Sequence, residues 1–89
     1  METNAFRINR KTVKFLRNIK GVSVNELAEK SVISEVLLNK IEQGRRKITP
    51  HANYRIAKGL VSLGYSVEEI VVINMFVEQK EGSGFFETA

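Results

Sequence analysis

Arg17-Asn18-Ile19-Lys20-Gly21-Val22-Ser23-Val24-Asn25-Glu26-Leu27-Ala28-Glu29-Lys30-Ser31-Val32-Ile33-Ser34-Glu35-Val36-Leu37-Leu38-Asn39-Lys40-Ile41-Glu42-Gln43-Gly44 is the stretch from which the rest of the chain can be read. Gly21 ends one helix. Ser23 and Glu26 then stand in the S-x-x-E relation, in which the hydroxyl accepts from the backbone N–H three residues on and the Glu reaches back. A helix therefore starts at Ser23, with Leu27 and Ala28 on its apolar side. It is over by Ser31, because β-branched Val32 and Ile33 follow and Ser34 is an N-cap residue that opens the next helix. In that next helix Leu38 and Ile41 fall on one side at i and i+3. Glu35, Val36, Asn39, Lys40 and Gln43 lie on the other. One side packs and the other is offered, until Gly44 supplies a left-handed stop. The basic run Arg45, Arg46 and Lys47 follows at once.

Two short capped helices joined by a tight turn are a helix-turn-helix, and the residues resemble those of the Cro and lambda-repressor family of XRE-type regulators. Leu16, Arg17, Lys20, Gly21, Val22, Ser23, Glu26, Leu27, Ala28, Ile33, Ser34, Leu38, Ile41, Glu42 and Gly44 carry the resemblance without a gap. It runs from about Val13 to Ala57 and resumes at Ser66 to Ile70. It implies an all-α, five-helix, lambda-repressor-like domain that binds double-stranded DNA. The helix opened by Ser34 would lie in the major groove, with residues near its N-terminus at base edges.

Carried over position by position, the resemblance puts base contacts at Glu35, Val36, Leu37 and Lys40. Lys40 can donate to guanine O6 and N7, Glu35 can accept from cytosine N4, and Val36 and Leu37 can touch thymine methyl groups. Phosphate contacts fall to Ser34, Asn39, Arg45, Arg46 and Lys47. Arg17 and Glu42 occupy the two positions of a partly buried structural ion pair. The sequence departs from the family pattern in three places. Val24 stands where Gln usually contacts phosphate, so that contact is lost or moves to Asn25. Val32 stands where the turn usually has Gly, so the turn either avoids positive φ or carries strain. Glu35, Val36 and Leu37 replace the polar and basic residues common at the start of a recognition helix.

Charge is divided along the chain. Residues 1–58 hold thirteen Lys and Arg against five Glu, whereas residues 59–89 hold Lys80 against five Glu, which together give the net charge of +4. The basic part contains the helix-turn-helix, and such a field attracts polyanions and contributes counterion release on binding. The acidic part is expected to face away from DNA.

Eighty-nine residues make one domain, near the size at which an oligomer interface adds stability. With no Cys and a single His, His51, neither a disulfide framework nor a metal site is expected, and no cofactor. No nucleophile–base pair or Gly-rich phosphate loop points to an enzyme. The longest apolar run, Ile70 to Val77, contains Asn74 and is too short to span a bilayer. A cytoplasmic protein is expected, since no signal-peptide core opens the chain.

Outward from the motif, the first helix runs from about Asn9 to Ile19, with Val13, Leu16 and Lys20 along its core stripe. Phe15 and Ile19 form a second apolar stripe, expected to touch the N-terminal Phe6 and Ile8 or a partner. A fourth helix has Thr49 as cap and Pro50 at its first position. Tyr54, Ile56, Ala57, Leu60, Val61 and Leu63 give it a broad apolar surface, and Gly64 stops it. Ser66 and Glu69 form another S-x-x-E box that opens a fifth helix over residues 67–80. This helix is apolar almost all round, so it must be buried on more than one side. Its expected use is dimerisation through Ile70, Ile73, Phe76 and Val77. The domain then covers residues 1–80, and residues 81–89, with Phe85 and Phe86, form a flexible tail. The functional expectation is a dimeric repressor of phage or mobile-element type on an inverted-repeat operator. The alternative is a protein-interaction module on the same scaffold, antirepressor- or antitoxin-like, meeting another regulator through Val36, Leu37, Phe15 and Ile19.

Overall fold

Side-chain caps at sequence-local spacing set the helix starts. The structure, a computed structural model, describes residues 6–82. It contains α1 (Arg10–Ile19), α2 (Val24–Ser31), α3 (Glu35–Glu42), α4 (Pro50–Ser62) and α5 (Val67–Gly82). Asn9, Ser23, Ser34 and Thr49 each accept a backbone N–H from the first turn of the helix they precede. At α5 the box is reciprocal: Ser66 Oγ accepts from Glu69 N at 3.0 Å, and Glu69 Oε1 accepts from Ser66 N at 2.9 Å. Each such cap contributes about 1 kcal/mol.

The helices enclose one core of Ile8, Val13, Leu16, Leu27, Ala28, Leu38, Ile41, Ala52, Ile56, Leu60 and Ile70. α2 packs most extensively on α4. Gly59 makes that approach possible, because a Cβ there would collide with Ser31 Oγ and stand 3.1 Å from Ser31 Cα. The interior is close-packed at this crossing, and Ser31 Oγ lies buried there with no hydrogen-bond partner.

Before α1, an extended segment over residues 6–9 is held by the amides of two Asn side chains. Asn53 on α4 accepts from Ile8 N at 2.7 Å and donates to Phe6 O at 3.4 Å. Asn74 on α5 accepts from Asn9 N at 2.7 Å and donates to Arg7 O at 3.0 Å. Each amide thus takes the place of a neighbouring strand, serving one N–H and one C=O two residues apart. The alternation turns Ile8 into the core and packs Phe6 against it.

Several expectations change on this fold. Asn74 is buried at 3 % exposure, so the polar residue of the apolar run faces inward. Ile70 and Val77, expected at a dimer seam, are 1 % and 4 % exposed and are already used in the chain's own interior. α5 is buried along Ile70, Asn74 and Val77, while Val72, Met75 and Phe76 are 61 %, 62 % and 53 % exposed. The helix also runs to Gly82, so Glu81 is not part of a tail. Phe85 and Phe86 lie outside the described residues.

On α1, Lys20 is exposed rather than in the core stripe, with its Nζ 5.0 Å from the centre of the Tyr65 ring. Phe6 and Ile8 pack inward, and Phe15 and Ile19 remain exposed. On α4, Tyr54 and Val61 are exposed as well, so its apolar surface is narrower than its composition suggests. Among the described residues no single helix is long and apolar enough to cross a membrane, and no group of metal-ligating side chains is assembled.

Candidate nucleic-acid interface

Leu38 and Ile41 anchor α3 at 0 % exposure, which fixes the direction of its other face. That face carries Ser34, Glu35, Val36, Asn39 and Gln43, all exposed, with Lys40 half-buried beside them. Val36 is 64 % exposed, a large apolar side chain presented to solvent near the helix N-terminus. Leu37 differs from the other base-contact candidates: it is half-buried and packs against the core. Glu35 is held in place by Asn25, whose Nδ2 donates to Glu35 Oε1 at 3.0 Å and so joins the start of α2 to the start of α3. The residue expected to replace a missing phosphate contact is therefore engaged with a base-contact candidate. Ser34 Oγ accepts from Leu37 N at 3.0 Å, which leaves its own O–H free to donate outward.

The turn between α2 and α3 takes the strained option. Val32 is the one non-Gly residue at positive φ among the described residues, at φ 58 and ψ 46. Arg55 on α4 supports it by donating from Nη1 to Val32 O at 3.0 Å, and its Nε donates to His51 Nε2 at 2.8 Å. His51 thus orients a side chain that braces the turn. Sequence reading had no signal for Arg55, because the contact joins positions 23 apart.

Arg17 and Glu42 form the expected ion pair. The fork is bidentate, with Nε to Oε2 and Nη2 to Oε1 both at 2.8 Å, and the remaining Nη1 donates to Val22 O at 2.8 Å. The two side chains are 11 % and 5 % exposed. Hydrogen bonding to Glu42 raises the Arg17 pKa above its usual value against the opposing effect of burial. The pair ties α1 and the α1–α2 connection to the end of α3, and its geometry is that of a structural brace.

After α3, Gly44 at φ 79 turns the chain, with Gly44 N bonded to Ile41 O at 3.0 Å and Arg45 N to Lys40 O at 2.8 Å. Arg45, Arg46 and Lys47 then follow as exposed cations at the C-terminal end of α3. A second pair of cations joins them from the N-terminal side. Arg7, Arg10, Arg46 and Lys47 line one cleft, and Arg10 donates from Nη1 to Glu42 O at 3.2 Å.

A helix anchored by its apolar side, opened by a cap, offering one face and followed by a basic turn defines a DNA-binding domain. The chain belongs to the helix-turn-helix family of the Cro/C1, XRE type, which it matches over residues 13–60. That family consists of DNA-binding domains and not of enzymes. No curated protein and no solved structure gives a significant match to the chain.

Proposed function

We propose that the protein is a sequence-specific transcriptional regulator that binds an inverted-repeat operator as a homodimer and represses an overlapping promoter, in the manner of phage and mobile-element repressors. The observation that carries this reading is the presented face of α3 beside exposed Arg45, Arg46 and Lys47. In it Glu35, Val36 and Lys40 read bases, and Ser34, Asn39, Arg45, Arg46 and Lys47 hold phosphates. Leu37 contributes at the groove edge only through the part of its side chain left uncovered. The second protomer is supported by the outward side of α5, where Val72, Met75 and Phe76 are exposed, with half-buried Ile73 at its border.

A second reading has its own support. Val36, Phe15 and Ile19 are large apolar side chains exposed on α3 and α1, as they would be on a module that meets another regulator. Selection from a random duplex library at about 150 mM salt, where non-specific affinity falls to about 10⁻⁴–10⁻⁶ M, separates the two. Recovery of an inverted repeat is expected. If no motif is recovered, the protein-interaction reading stands in its place.

A further inference from the structure

We propose that the extended segment over residues 6–9 is part of the DNA interface, and that Arg7 and Arg10 form with Arg46 and Lys47 a second phosphate-binding cleft at the C-terminal end of α3. The inference rests on the DNA-binding reading above and adds residues outside the matched helix-turn-helix. Four cations line the cleft together with Ile8, Asn9, Gly44 and Ile48. Two carboxylates, Glu78 and Glu81, line it as well. Glu81 is already engaged, accepting from Asn9 Nδ2 at 2.8 Å and pairing with Lys11 Nζ at 3.2 Å. The cleft therefore keeps a positive surplus.

The two added arginines are placed by observed contacts, Arg10 through its side chain and Arg7 through its backbone. Arg10 is bound to the last carbonyl of α3, Glu42 O, and lies against Gly44, where a Cβ would stand 3.0 Å from Arg10 Nε. Gly44 thus serves both the turn and the close approach of this guanidinium. Arg7 is placed by its backbone: Asn53 and Asn74 grip the residues on either side and its own carbonyl, and the strand-like alternation that sends Ile8 inward turns Arg7 to the surface. An exposed loop of arginines would have to be ordered on binding, whereas here the Arg10 guanidinium and the Arg7 backbone are held beforehand, which lowers the entropy lost on contact with a phosphate. The ligand that suits two guanidiniums beside a basic turn, at the end of the helix offered to the groove, is the sugar-phosphate backbone of the bound duplex.

The test is the salt dependence of binding to duplex DNA by the full chain and by Arg7→Ala, Arg7→Lys, Lys14→Ala and the double variant Arg45→Ala/Arg46→Ala. The Arg7 side chain makes none of the contacts that hold the segment, so its removal leaves the fold intact. Arg7→Ala is expected to shallow the slope of log K against log salt by about 0.9, the value for one phosphate contact, equally for all duplexes. Arg7→Lys should restore most of that slope. Lys14 is exposed on α1 and removes the same charge, but it is not in the cleft and should change the slope much less. Equal effects of Arg7→Ala and Lys14→Ala, or an unchanged slope in Arg7→Ala while Arg45→Ala/Arg46→Ala shallows it, would overturn the second cleft and leave the DNA reading standing. Failure of the unaltered protein to bind any duplex would overturn both.

Discussion

Val32 shows how a single side chain can oppose the turn it occupies. A β-branched residue in the left-handed region costs roughly 1–2 kcal/mol, and Val32 is mostly exposed, so little packing compensates. Val32→Gly removes that strain but adds about 0.5–1 kcal/mol of unfolded-state entropy. The net expectation is a gain of roughly 0.5–1 kcal/mol, read as a higher denaturant midpoint with an unchanged slope. A lower midpoint would mean that the Val32 side chain supports the turn. The Arg17–Glu42 pair is the opposite case, a favourable fork that is dangerous to break. Arg17→Met leaves the Glu42 carboxylate buried without its partner and should destabilise by about 3–5 kcal/mol. Arg17→Met with Glu42→Leu should recover most of that loss in the same denaturation measurement, since the pair itself is worth little against apolar replacements.

The helices themselves were legible in the sequence, because caps and stops act over three or four residues. Ser23, Ser34, Thr49 and Ser66 start helices where their spacing predicts, and Gly21, Gly44 and Gly64 all take positive φ just past helix ends. Which side of a helix is buried was legible for α3, where polar and apolar residues separate. It was not legible for α5, where apolar residues cover most of the circumference and the inward side is decided by what lies opposite. There the partner is backbone, and the Asn74 amide serves both an N–H and a C=O of it, which Ile or Val could not do. The clamp on residues 6–9 joins positions 45 to 67 apart, and no local pattern announces it. Asn74→Leu would take away the partner of both Asn9 N and Arg7 O, two part-buried bonds made by one buried amide. A typical bond contributes about 0.5–1.5 kcal/mol net, so a loss of about 1–3 kcal/mol for the two is expected, with faster amide exchange at Asn9.

The same clamp has a pH dependence. Hydrogen bonds from Asn9 and Lys11 lower the Glu81 pKa below its usual value near 4.5, so folding favours the ionised form. A lowered folded-state pKa gives stability that is present above the unfolded value and is lost as pH falls through the folded one. Stability should therefore decline below about pH 4.5, and Glu81→Gln should flatten that part of the profile in thermal melts recorded across it. An identical profile in Glu81→Gln would assign the acid sensitivity to other carboxylates. Tyr65 shifts the other way: burial, with a smaller effect of Glu69, raises its pKa. Its hydroxyl, which donates to Leu16 O at 2.8 Å, thus keeps its proton past the usual range near pH 10, and its contribution is lost only as pH rises through the raised value.

At the scale of the whole molecule, the charge divides along the sequence but not cleanly in space: Glu78 and Glu81 of α5 line the same cleft as Arg7, Arg10, Arg46 and Lys47, against the expectation that the acidic part faces away from the basic one. Two protomers on an inverted repeat would place their α3 helices about 34 Å apart, one helical turn of DNA. A protomer with extents of 33 × 32 × 24 Å fits that spacing if the copies meet near the two-fold axis along one helix each. Under the proposed dimer the seam is the outward side of α5, and exposed Val72, Met75 and Phe76 differ from the inward Ile70 and Val77 in what their substitution should do. Ile70→Glu would bury a charge in the core and is expected to unfold the chain, which says nothing about assembly. Val72→Glu with Phe76→Glu introduces charges at exposed positions, so the folded monomer should keep its helical circular dichroism. Its sedimentation mass should fall to that of one chain. Affinity for an inverted repeat should drop by at least about 10²-fold, because the second half-site is then no longer bound at an effective local concentration, while affinity for a single half-site should be unchanged. A well-folded dimer in the double variant would exclude this seam, and a monomer that still binds the repeat at full affinity would show that the two half-sites are read independently.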